Sequence, residues 1–476
     1  MNTQEKSNNI LIEENIPTKS KFAFGGATMA SGILNGIAFG AITFYYNIKL
    51  GLSEEFIALA WLIFAAWNAV NDPLFGFIED RTKSEKYGRR IPYLRFGAPI
   101  YGILFVLVWF PFANVNNEIA LFINLVIILF AFDTLYTIIG LITYSLPAEM
   151  AISSTVRANL MVYGSIFSAL GLLISFIIPV LLLTSDVSTE IDPTFLTTMV
   201  ILGIICAAVI FISSFYIKEN KYTILEEPLP IFKGIKQTFK NKPFLIFEIS
   251  NFAFLISSTI LITAVFYYIT FILKLSGLMA IIPILLFFIM VFAFTPIYAK
   301  LVSRYGLKKV YIFSLVFSGL GFLLFFFIGW VFITSIIALI LVGIGFSGIF
   351  LTSQAVFAEI IDYDEILTEK RRETTYSGMN ALLTKPAISI ANGLFLLIIA
   401  FYGFQRTSQA QTESAQMGIM IGFTIVPAIF ILISALAMKF FSLDGPDWNK
   451  QKVELKKIHD EKEKEYLEYL KKHNKL

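Results

Sequence analysis

Long apolar runs constrain the fold of this chain more than any other feature of its sequence. A run of about 18 or more apolar residues forms a helix long enough to cross the roughly 30 Å hydrocarbon core of a bilayer. Twelve such runs lie at residues 24–47, 55–79, 93–113, 119–147, 160–184, 195–217, 244–271, 277–301, 309–330, 333–358, 376–401 and 418–442. The ten-residue alternating segments typical of membrane β-barrels are absent from the sequence. The sequence therefore predicts an all-α polytopic membrane protein with twelve transmembrane helices.

The composition agrees with a membrane protein and excludes several other classes. Apolar residues make up 57% of the 476 residues and charged residues only 15%, against roughly 25% charged residues in an ordinary soluble domain. The net charge of +3 is small and the charges lie in loops, so we expect no nucleic-acid partner. The single cysteine excludes an intramolecular disulfide, and both histidines, His459 and His473, lie in a charged tail. We therefore expect no enzyme, no metal site and no organic cofactor.

Lysine and arginine are distributed unequally between the two faces of the predicted bundle. The loops opposite the N-terminus carry Lys49, Lys274 and Arg406, Lys385 falls inside a span, and the other basic residues lie on the N-terminal face. Because basic loops stay on the cytoplasmic side, we predict that both termini are cytoplasmic and that the membrane is the plasma membrane of the cell. The first 23 residues lack the basic-then-apolar layout of a cleaved leader, so we expect the first span to act as the targeting signal.

The longest internal loop, residues 218–243, is rich in lysine and divides the chain into two sets of six spans. The predicted parts are a cytoplasmic N-terminal segment (1–23), an N-terminal six-helix bundle (24–217), the central cytoplasmic loop (218–243), a C-terminal six-helix bundle (244–442) and a cytoplasmic charged tail (443–476). Corresponding loops resemble each other, with Gly88-Arg89-Arg90 after span two and Gly306-Leu307-Lys308-Lys309 after span eight. Duplicated bundles are typical of secondary transporters, which bind substrate between their halves. The sequence has no GxxxxGK[ST] loop, so we expect no ATP-driven pump.

Ionisable residues inside a membrane are costly to bury and are candidates for function. Asp72 lies in span two, and Asn68 precedes it by four residues on the same helix face. Asn71 points about 100° round the helix, and Pro73 frees the carbonyl of Ala69 from its helical hydrogen bond. These oxygen atoms suit Na⁺ or a proton. The alternative is that Asp72 only holds helices together by hydrogen bonds.

Two further charges lie in spans seven and eleven. Lys385 is about nine residues into span eleven, and we expect it to face the cavity and to pair with an acid such as Asp72. The alternative for Lys385 is a static salt bridge. Glu248 lies one turn into span seven, where its carboxylate can extend outward to the interface or pair with a loop lysine, so we assign it no role.

Span four carries a polar stripe. Asp133 lies near its middle, Tyr136 and Thr137 follow within about one turn, and Tyr144 lies two turns further on. Such a stripe can line a cavity and contact a substrate. The alternative is a structural aspartate capped by neighbouring hydroxyl groups.

Two loops on the predicted cytoplasmic face mix acidic and basic residues that can latch helix ends together in one conformation and release them in another. The loop after span two contributes Asp80, Arg81, Arg89 and Arg90. The loop after span ten contributes Asp362, Asp364, Arg371 and Arg372. The alternative is that these charges only set the topology. The alternating Lys and Glu residues after residue 447 predict a charged cytoplasmic helix.

Several of these residues form two motifs in a fixed order. The first runs Asn71-Asp72-Pro73-x-x-Gly76, Asp80-Arg81-Thr82 and Gly88-Arg89-Arg90-x-Pro92-Tyr93, and the second runs Asp362-Tyr363-Asp364-Glu365 and Lys370-Arg371-Arg372-Glu373. Through these motifs the chain resembles, over nearly its whole length, the glycoside-pentoside-hexuronide:cation symporters, a group of the major facilitator superfamily that includes the melibiose carriers. The resemblance implies a major facilitator fold and cation-coupled transport by alternating access.

The resemblance also implies roles for individual residues. For cation coupling the family motif and its surroundings point to Asp72, Asn68, Asn71 and Thr137. For substrate binding the matching aromatic positions, the span-eleven lysine and the polar stripe point to Tyr136, Tyr144, Lys385 and Asp133. The chain departs from the family where Asn68 replaces a second aspartate and where Gly140 and Ala27 replace two sugar-binding aspartates.

Three hypotheses follow from these residues. The first is a monomeric symporter in the lipid bilayer that couples a small-molecule substrate, a sugar or glycoside or related solute, to H⁺ or Na⁺. The second keeps the fold but transports a lysolipid or another amphiphile, because the two sugar-binding carboxylates are missing. The third is a membrane sensor that transports nothing.

Overall fold

The computed structural model describes residues 16–81, 90–151, 154–184, 191–218, 238–368 and 373–455. Within these ranges the chain forms twelve helical spans and no strands. The spans of the first half are α1 (Thr18–Phe44, continued by a π-helical turn at Tyr45–Lys49), α2 (Glu54–Arg81), α3 (Ile91–Trp109), α4 (Glu118–Met150), α5 (Ser154–Leu183) and α6 (Pro193–Tyr216). Those of the second half are α7 (Lys242–Tyr267, continued by a π-helical turn at Tyr268–Leu273), α8 (Leu278–Tyr305), α9 (Leu307–Ile328), α10 (Phe332–Thr368), α11 in two segments, α11a (Glu373–Thr384) and α11b (Pro386–Phe401), and α12 (Glu413–Lys439).

The twelve predicted spans agree with these helices one for one. Eleven of the helices, searched over the described residues, are long and apolar enough to cross a membrane. The remaining one, α2, is 28 residues long and packs against α4 and α11b. The largest difference is at α10, which continues to Thr368 instead of ending at residue 358. No proline or glycine interrupts residues 359–368, so the helix continues beyond its apolar part.

Polar residues begin four of the helices, including Thr412 at the start of α12. The side chains of Asn117, Asp192 and Asn241 accept hydrogen bonds from backbone N–H groups in the first turns of α4, α6 and α7. Each bond satisfies a donor that has no partner inside the helix. The hydrogen bonds from Thr194 lower the pKa of the Asp192 carboxyl group, which lies in the loop before α6.

The two halves pack their helices in the same pattern. In the first half α1 packs against α5 and α6, α2 against α4, and α3 against α4 and α6. In the second half α7 packs against α11b and α12, α8 against α10, and α9 against α10 and α12. The halves meet where α2 contacts α11 and α5 contacts α8, with α1 against α7 between them. This twofold-related arrangement of two six-helix bundles is the major facilitator fold that the sequence predicted.

Matching π-helical turns lie at corresponding places in the two halves. Tyr45–Lys49 ends α1 and Tyr268–Leu273 ends α7. The hydroxyl group of Tyr45 donates to the carbonyl oxygen of Trp109 at the end of α3, and that of Tyr268 donates to the carbonyl oxygen of Gly329 just after α9. In each half, a hydrogen bond therefore joins the π-helical turn at the end of the first helix to the end of the third helix. The repeated Phe-Tyr-Tyr of residues 44–46 and 266–268 is the sequence signal for this feature.

Glycine lets the third helix of the first half approach the sixth closely. A Cβ atom on Gly102 of α3 would lie 2.9 Å from the carbonyl oxygen of Gly203 and 2.7 Å from the Cβ atom of Ala207, both on α6. Small residues permit such close approach of helices in membranes. By contrast, a Cβ atom on Gly32 of α1 would have no neighbour within 4 Å.

We expect Gly102→Ala to reduce the free energy of unfolding by about 1–3 kcal/mol, because the added methyl group must push α3 away from α6. The measurement is the thermal unfolding midpoint of the purified protein in detergent. Gly32→Ala is the matched control and should cause no loss, because its methyl group has space. Equal destabilisation by the two substitutions would contradict this account of the helix contact.

Candidate functional site

A cluster of buried polar side chains joins the two halves near the middle of the bundle. Asn71 of α2 donates through Nδ2 to Oδ2 of Asp133 at 2.7 Å and to Oγ1 of Thr137 at 2.9 Å, both on α4. All three side chains are buried. Lys385 of the second half donates through Nζ to the same Thr137 Oγ1 at 3.1 Å. We call Asn71, Asp133, Thr137 and Lys385 the central cluster.

A break in α11 gives Lys385 its position. Pro386 has no N–H group, so the helix cannot continue its hydrogen bonding through this point, and α11a ends at Thr384 while α11b begins at Pro386. The half-buried side chain of Lys385 crosses to α4 from this break, and its Nζ also lies 5.7 Å from the centre of the Tyr136 ring. An ammonium at that distance from an aromatic face is attracted to it.

Two amide oxygens beside the central cluster are buried and accept no hydrogen bond from any described residue. They are Oδ1 of Asn71 and Oδ1 of Asn68, one helical turn apart on α2. A buried polar atom without a partner is costly, and its presence in a folded protein calls for an explanation. Amide and carboxylate oxygens are the ligands that hard cations such as Na⁺ prefer. Asn68, Asn71, Asp133 and Thr137 are therefore the residues here whose oxygen atoms could hold a small monovalent cation.

The structure brings together four of the eight residues predicted for cation coupling and substrate binding. These are Asn71, Thr137, Asp133 and Lys385. Asn68 lies one turn from them along α2. The backbone of Asp72 belongs to α2, but its side chain lies outside the described part of the chain. The predicted pairing of Lys385 with Asp72 therefore stays a prediction.

The two predicted aromatic residues lie on α4 at different depths. Tyr136 is half-buried and lies edge-on to Phe39 of α1, with ring centres 6.1 Å apart. Tyr144 is exposed, and its hydroxyl group lies 2.9 Å from Oγ of Ser377 on α11a. The Tyr144–Ser377 contact crosses between the halves on the side of the bundle that carries the chain termini.

The predicted latch residues are described only in part. Asp80 and Arg81 belong to α2 by their backbone, and Arg89, Arg371 and Arg372 lie outside the described residues, as do the side chains of Asp80 and Arg81. Arg90 is buried at the start of α3. Asp362 and Asp364 lie in the last turns of α10 rather than in a loop, because that helix extends to Thr368. Asp364 is buried and accepts a hydrogen bond from the hydroxyl group of Tyr376 at 2.8 Å.

A second group of hydrogen bonds between the halves lies beyond the central cluster and was not predicted from the sequence. Trp61 Nε1 donates to Thr43 Oγ1 at 2.9 Å, and Thr43 donates to Asn392 Oδ1 at 3.0 Å. Thr263 donates to the same Asn392 oxygen at 2.9 Å. Trp61 and Thr43 belong to the first half, and Asn392 and Thr263 belong to the second. These buried contacts close the space between α1, α7 and α11b.

The end of the bundle opposite the termini is closed by charged and polar residues, which we call the distal closure: Asn47, Glu54, Glu118, Tyr267 and Arg406. Tyr267 of the second half donates to Oδ1 of Asn47 at 3.0 Å, and Asn47 donates to Oε1 of Glu54 at 3.0 Å. Arg406 lies 3.8 Å from Glu54 and 3.5 Å from Glu118. Arg406 was noticed in the sequence only as a topology marker, although a basic residue is uncommon on that face.

Known proteins resemble this chain over nearly its whole length. The family model for MFS/sugar transport proteins matches residues 23–445. An uncharacterized symporter of Bacillus subtilis, YnaJ, is 25% identical and covers 97% of this chain and 99% of its own length. The glucuronide carrier protein homolog of Escherichia coli is 22% identical over 86% of this chain and 89% of its own. The sodium-dependent lysophosphatidylcholine symporter 1 of Mus musculus is 23% identical over 94% and 89%.

Solved structures share the fold at lower identity. A D-xylose-proton symporter superposes with a TM-score of 0.62 at 16% identity, covering 88% of this chain and 97% of its own. The nucleoside transporter NupG superposes with a TM-score of 0.62 at 15% identity, covering 89% of this chain and all of its own.

We expect Thr137→Val to destabilise the protein by about 1.5–3 kcal/mol, the range for a lost hydrogen bond to a charged group, because Lys385 loses its bond to the Thr137 hydroxyl group and Asn71 keeps its bond to Asp133 but loses the one to Thr137. Thr134→Val is the matched control on the same helix, because Thr134 bonds only the carbonyl oxygen of Phe130, one turn away. The measurement is thermal unfolding in detergent. If the two valine variants unfold at the same temperature, the Lys385–Thr137 contact between the halves does not contribute to the free energy of unfolding.

Proposed function

The chain belongs to the family of MFS/sugar transport proteins, and from this premise we propose that it is a secondary transporter that carries a sugar, a glycoside or a related small solute in symport with H⁺ or Na⁺. The proposal includes a monomer in the plasma membrane, with both termini in the cytoplasm. It also assigns the protein to transport rather than to enzymatic chemistry. The names of the relatives, which include symporters and a glucuronide carrier homolog, support the assignment.

The observation that carries the proposal is the contact of Lys385 with the first half of the molecule. Its ammonium group lies against Thr137, whose hydroxyl oxygen also accepts from Asn71, and Asn71 in turn holds Asp133. An ammonium group therefore occupies the edge of a site whose oxygen atoms suit a small cation. A charge buried inside a membrane bundle is a default marker of an ion or substrate pathway.

Coupling follows if a transported cation bound beside Lys385 drives its ammonium group away from Thr137. A cation that binds Asp133 and the free oxygen atoms of Asn68 and Asn71 places a second positive charge beside the ammonium group. Like charges at such a distance repel each other, so the cation favours states in which Lys385 has moved away from Thr137. Lys385 is then available to the substrate, and α11a is released from α4. Cation and substrate in this way favour the same conformation.

The distal closure supports alternating access. Its contacts and those around Asn392 join the halves from the centre to the end opposite the termini. With the termini in the cytoplasm, as the excess of basic loop residues on their side favours, this end faces outward. The structure then corresponds to a conformation closed toward the outside, and the outward-open state requires the distal closure to separate.

A lysolipid is the second candidate substrate. The glycoside-pentoside-hexuronide:cation symporters bind sugar through two aspartates, and this chain has Gly140 and Ala27 at those positions. Neither residue provides a carboxylate, and Ala27 is fully buried. At least three relatives named sodium-dependent lysophosphatidylcholine symporter 1 match this chain, over about nine-tenths of its length and about nine-tenths of theirs. Their similarity supports an amphiphilic substrate in the same cavity.

Uptake into proteoliposomes separates the candidates. The purified protein is reconstituted and given either a radiolabelled glucuronide or radiolabelled lysophosphatidylcholine, with a proton gradient, a sodium gradient or neither. Accumulation of the glucuronide above the external concentration, dependent on one gradient, supports sugar symport. Gradient-dependent transport of the lysolipid alone supports the second candidate. Equal, non-accumulating entry with and without gradients would contradict coupling for both.

Asp133→Asn should abolish accumulation while leaving downhill exchange of the same substrate measurable. The substitution removes the charge that attracts the cation but keeps an acceptor and similar size, so we expect gradient-driven uptake to fall at least about tenfold, equivalent to about 1.4 kcal/mol. Asp192→Asn is the matched control, because this carboxylate lies in the exposed loop before α6. Unchanged accumulation in the Asp133 variant would remove this residue from the coupling mechanism.

Loss of the distal closure should shift the conformational equilibrium toward the outward-open state. The reporter pair is Glu55→Cys and Gln409→Cys, both exposed and on different halves, spin-labelled in a Cys206→Ser background. Tyr267→Phe together with Arg406→Gln should lengthen the measured distances, because Asn47, Glu54 and Glu118 lose their partners from the second half.

Tyr268→Phe is the control for this experiment, because its hydroxyl group bonds Gly329 within the same half. It should leave the distance distribution unchanged. A distribution that is identical in the Tyr267/Arg406 variant and the parent protein would show that the closure does not hold this end shut.

A further inference from the structure

Glu248 is a carboxylate buried inside the second half and takes no part in the central cluster. It lies on α7 and is only 4% exposed. The sequence predicted a side chain that reaches the loop, and this is wrong, because the carboxylate instead faces α11a. Burying an isolated ionised carboxylate in an apolar bundle is so costly that such a group tends to take up a proton.

The group that faces Glu248 is the amide of Asn380 on α11a. The amide atom nearest to Glu248 lies 3.2 Å from Oε1 and 3.1 Å from Oε2. An amide can present either its oxygen or its nitrogen at this place. If nitrogen faces Glu248, it donates a hydrogen bond to an ionised carboxylate. If oxygen faces Glu248, the contact is favourable only when Glu248 carries a proton and donates it.

A third residue links to this pair. Nδ2 of Asn251, one turn along α7 from Glu248, donates to Oδ1 of Asn380 at 2.9 Å. In this arrangement the Asn380 oxygen is the atom between Asn251 and Glu248, and a protonated Glu248 can donate a hydrogen bond to it. When the proton leaves to water, both amides must turn, so that Asn380 donates to the carboxylate and accepts no longer from Asn251. The chain of three side chains therefore has two hydrogen-bonded states that differ by one proton.

Except for the hydroxyl group of Tyr311, which forms no hydrogen bond within the described part of the chain, the titratable groups on the surrounding helices have other partners. On α9, Tyr311 is fully buried and near enough to Glu248 to interact with its charge. On α11a, Tyr376 bonds Asp364 of α10, one turn closer to the termini than Asn380. On α10, Glu359 pairs with Lys452 at 2.7 Å.

The other neighbouring helices add few charges. The segment α11b contains no ionisable side chain. Lys439 lies exposed at the end of α12, where its carbonyl oxygen accepts from Lys308 of α9. On α1, Lys21 bonds Asn159 of α5 within the first half. Lys385 lies five residues beyond Asn380 and bonds Thr137. Asp362 and Glu365 lie with Asp364 on the terminus-bearing part of α10.

We propose that Glu248 is a proton-binding site of the second half, and that Asn380 and Asn251 report its protonation state by reversing their hydrogen bonds. Asn380 is on α11a, which ends at Thr384 next to Lys385. A turn of the Asn380 amide with a small shift of α11a therefore changes the contact between Lys385 and Thr137. The proton site stands on the contacts around Glu248 alone. Its use in coupling rests on the proposed function.

Infrared difference spectroscopy of the purified full-length protein between low and high pH tests the proposal. We expect a carbonyl-stretch band of a protonated carboxylic acid that disappears as the pH rises and that is lost in Glu248→Gln. In Glu248→Asp the band should persist at a shifted frequency, which keeps the test informative if the glutamine variant folds poorly. Asn380→Leu should shift both the frequency and the titration midpoint, because the amide partner is gone.

Glu359→Gln is the matched control, because Glu359 lies in an ion pair at the end of α10, and this variant should keep the Glu248 band. A band that persists unchanged in Glu248→Gln overturns the proposal. A Glu248 signal that never changes between low and high pH also overturns it, because the residue then has a single protonation state. The measurement needs neither substrate nor gradient, so a protein that fails to transport sugars or lysolipids can still pass or fail it.

Discussion

An ammonium group cannot stay inside a membrane bundle unless oxygen atoms surround it, and this requirement places Lys385 at the centre of the molecule. Its charge meets the hydroxyl group of Thr137 and the face of Tyr136, and the hydrogen bonds of Asn71 connect it to Asp133. Lys385 comes from one half and its acceptors come from the other. Separating the halves would leave the ammonium group without these partners, so its contacts hold the halves together. Anything that changes the charge at Asp133 changes the strength of that contact.

The duplicated architecture explains why this contact lies where it does. Each half ties its first helix to its third at the distal end through a tyrosine of a π-helical turn. The halves meet along α2 with α11 and α5 with α8, with α1 against α7 between them. The break at Pro386 lies in one of these contact helices and allows α11a to move without α11b. A rocking motion can therefore exchange the contacts of the distal closure for contacts at the end that carries the termini.

The sequence predicted most of the fold but only part of the site. Span lengths follow from the bilayer thickness, so all twelve helices were found from apolar runs alone. Asn71, Asp133 and Lys385 were singled out because charged and amide groups are rare inside spans, and Thr137 because of the polar stripe of span four and the family resemblance. The distal closure was missed because Tyr267 and Asn47 are 220 residues apart, and nothing local in either helix indicates the other. Glu248 was misjudged because its helix position allowed two directions, and only the packing of α11a decides between them.

The central claim is that a coupling cation bound at the oxygen atoms of Asn68, Asn71 and Asp133 displaces the Lys385 ammonium group from Thr137 by charge repulsion. An experimental structure of the protein with the transported solute bound, in the presence of its coupling cation, tests this claim most directly. We predict a cation, or a proton on Asp133, at the oxygen atoms of Asn68, Asn71 and Asp133, with Lys385 Nζ moved beyond hydrogen-bond distance of Thr137 Oγ1. A structure in which the cation is bound and Lys385 still lies 3.1 Å from Thr137 would contradict the claim.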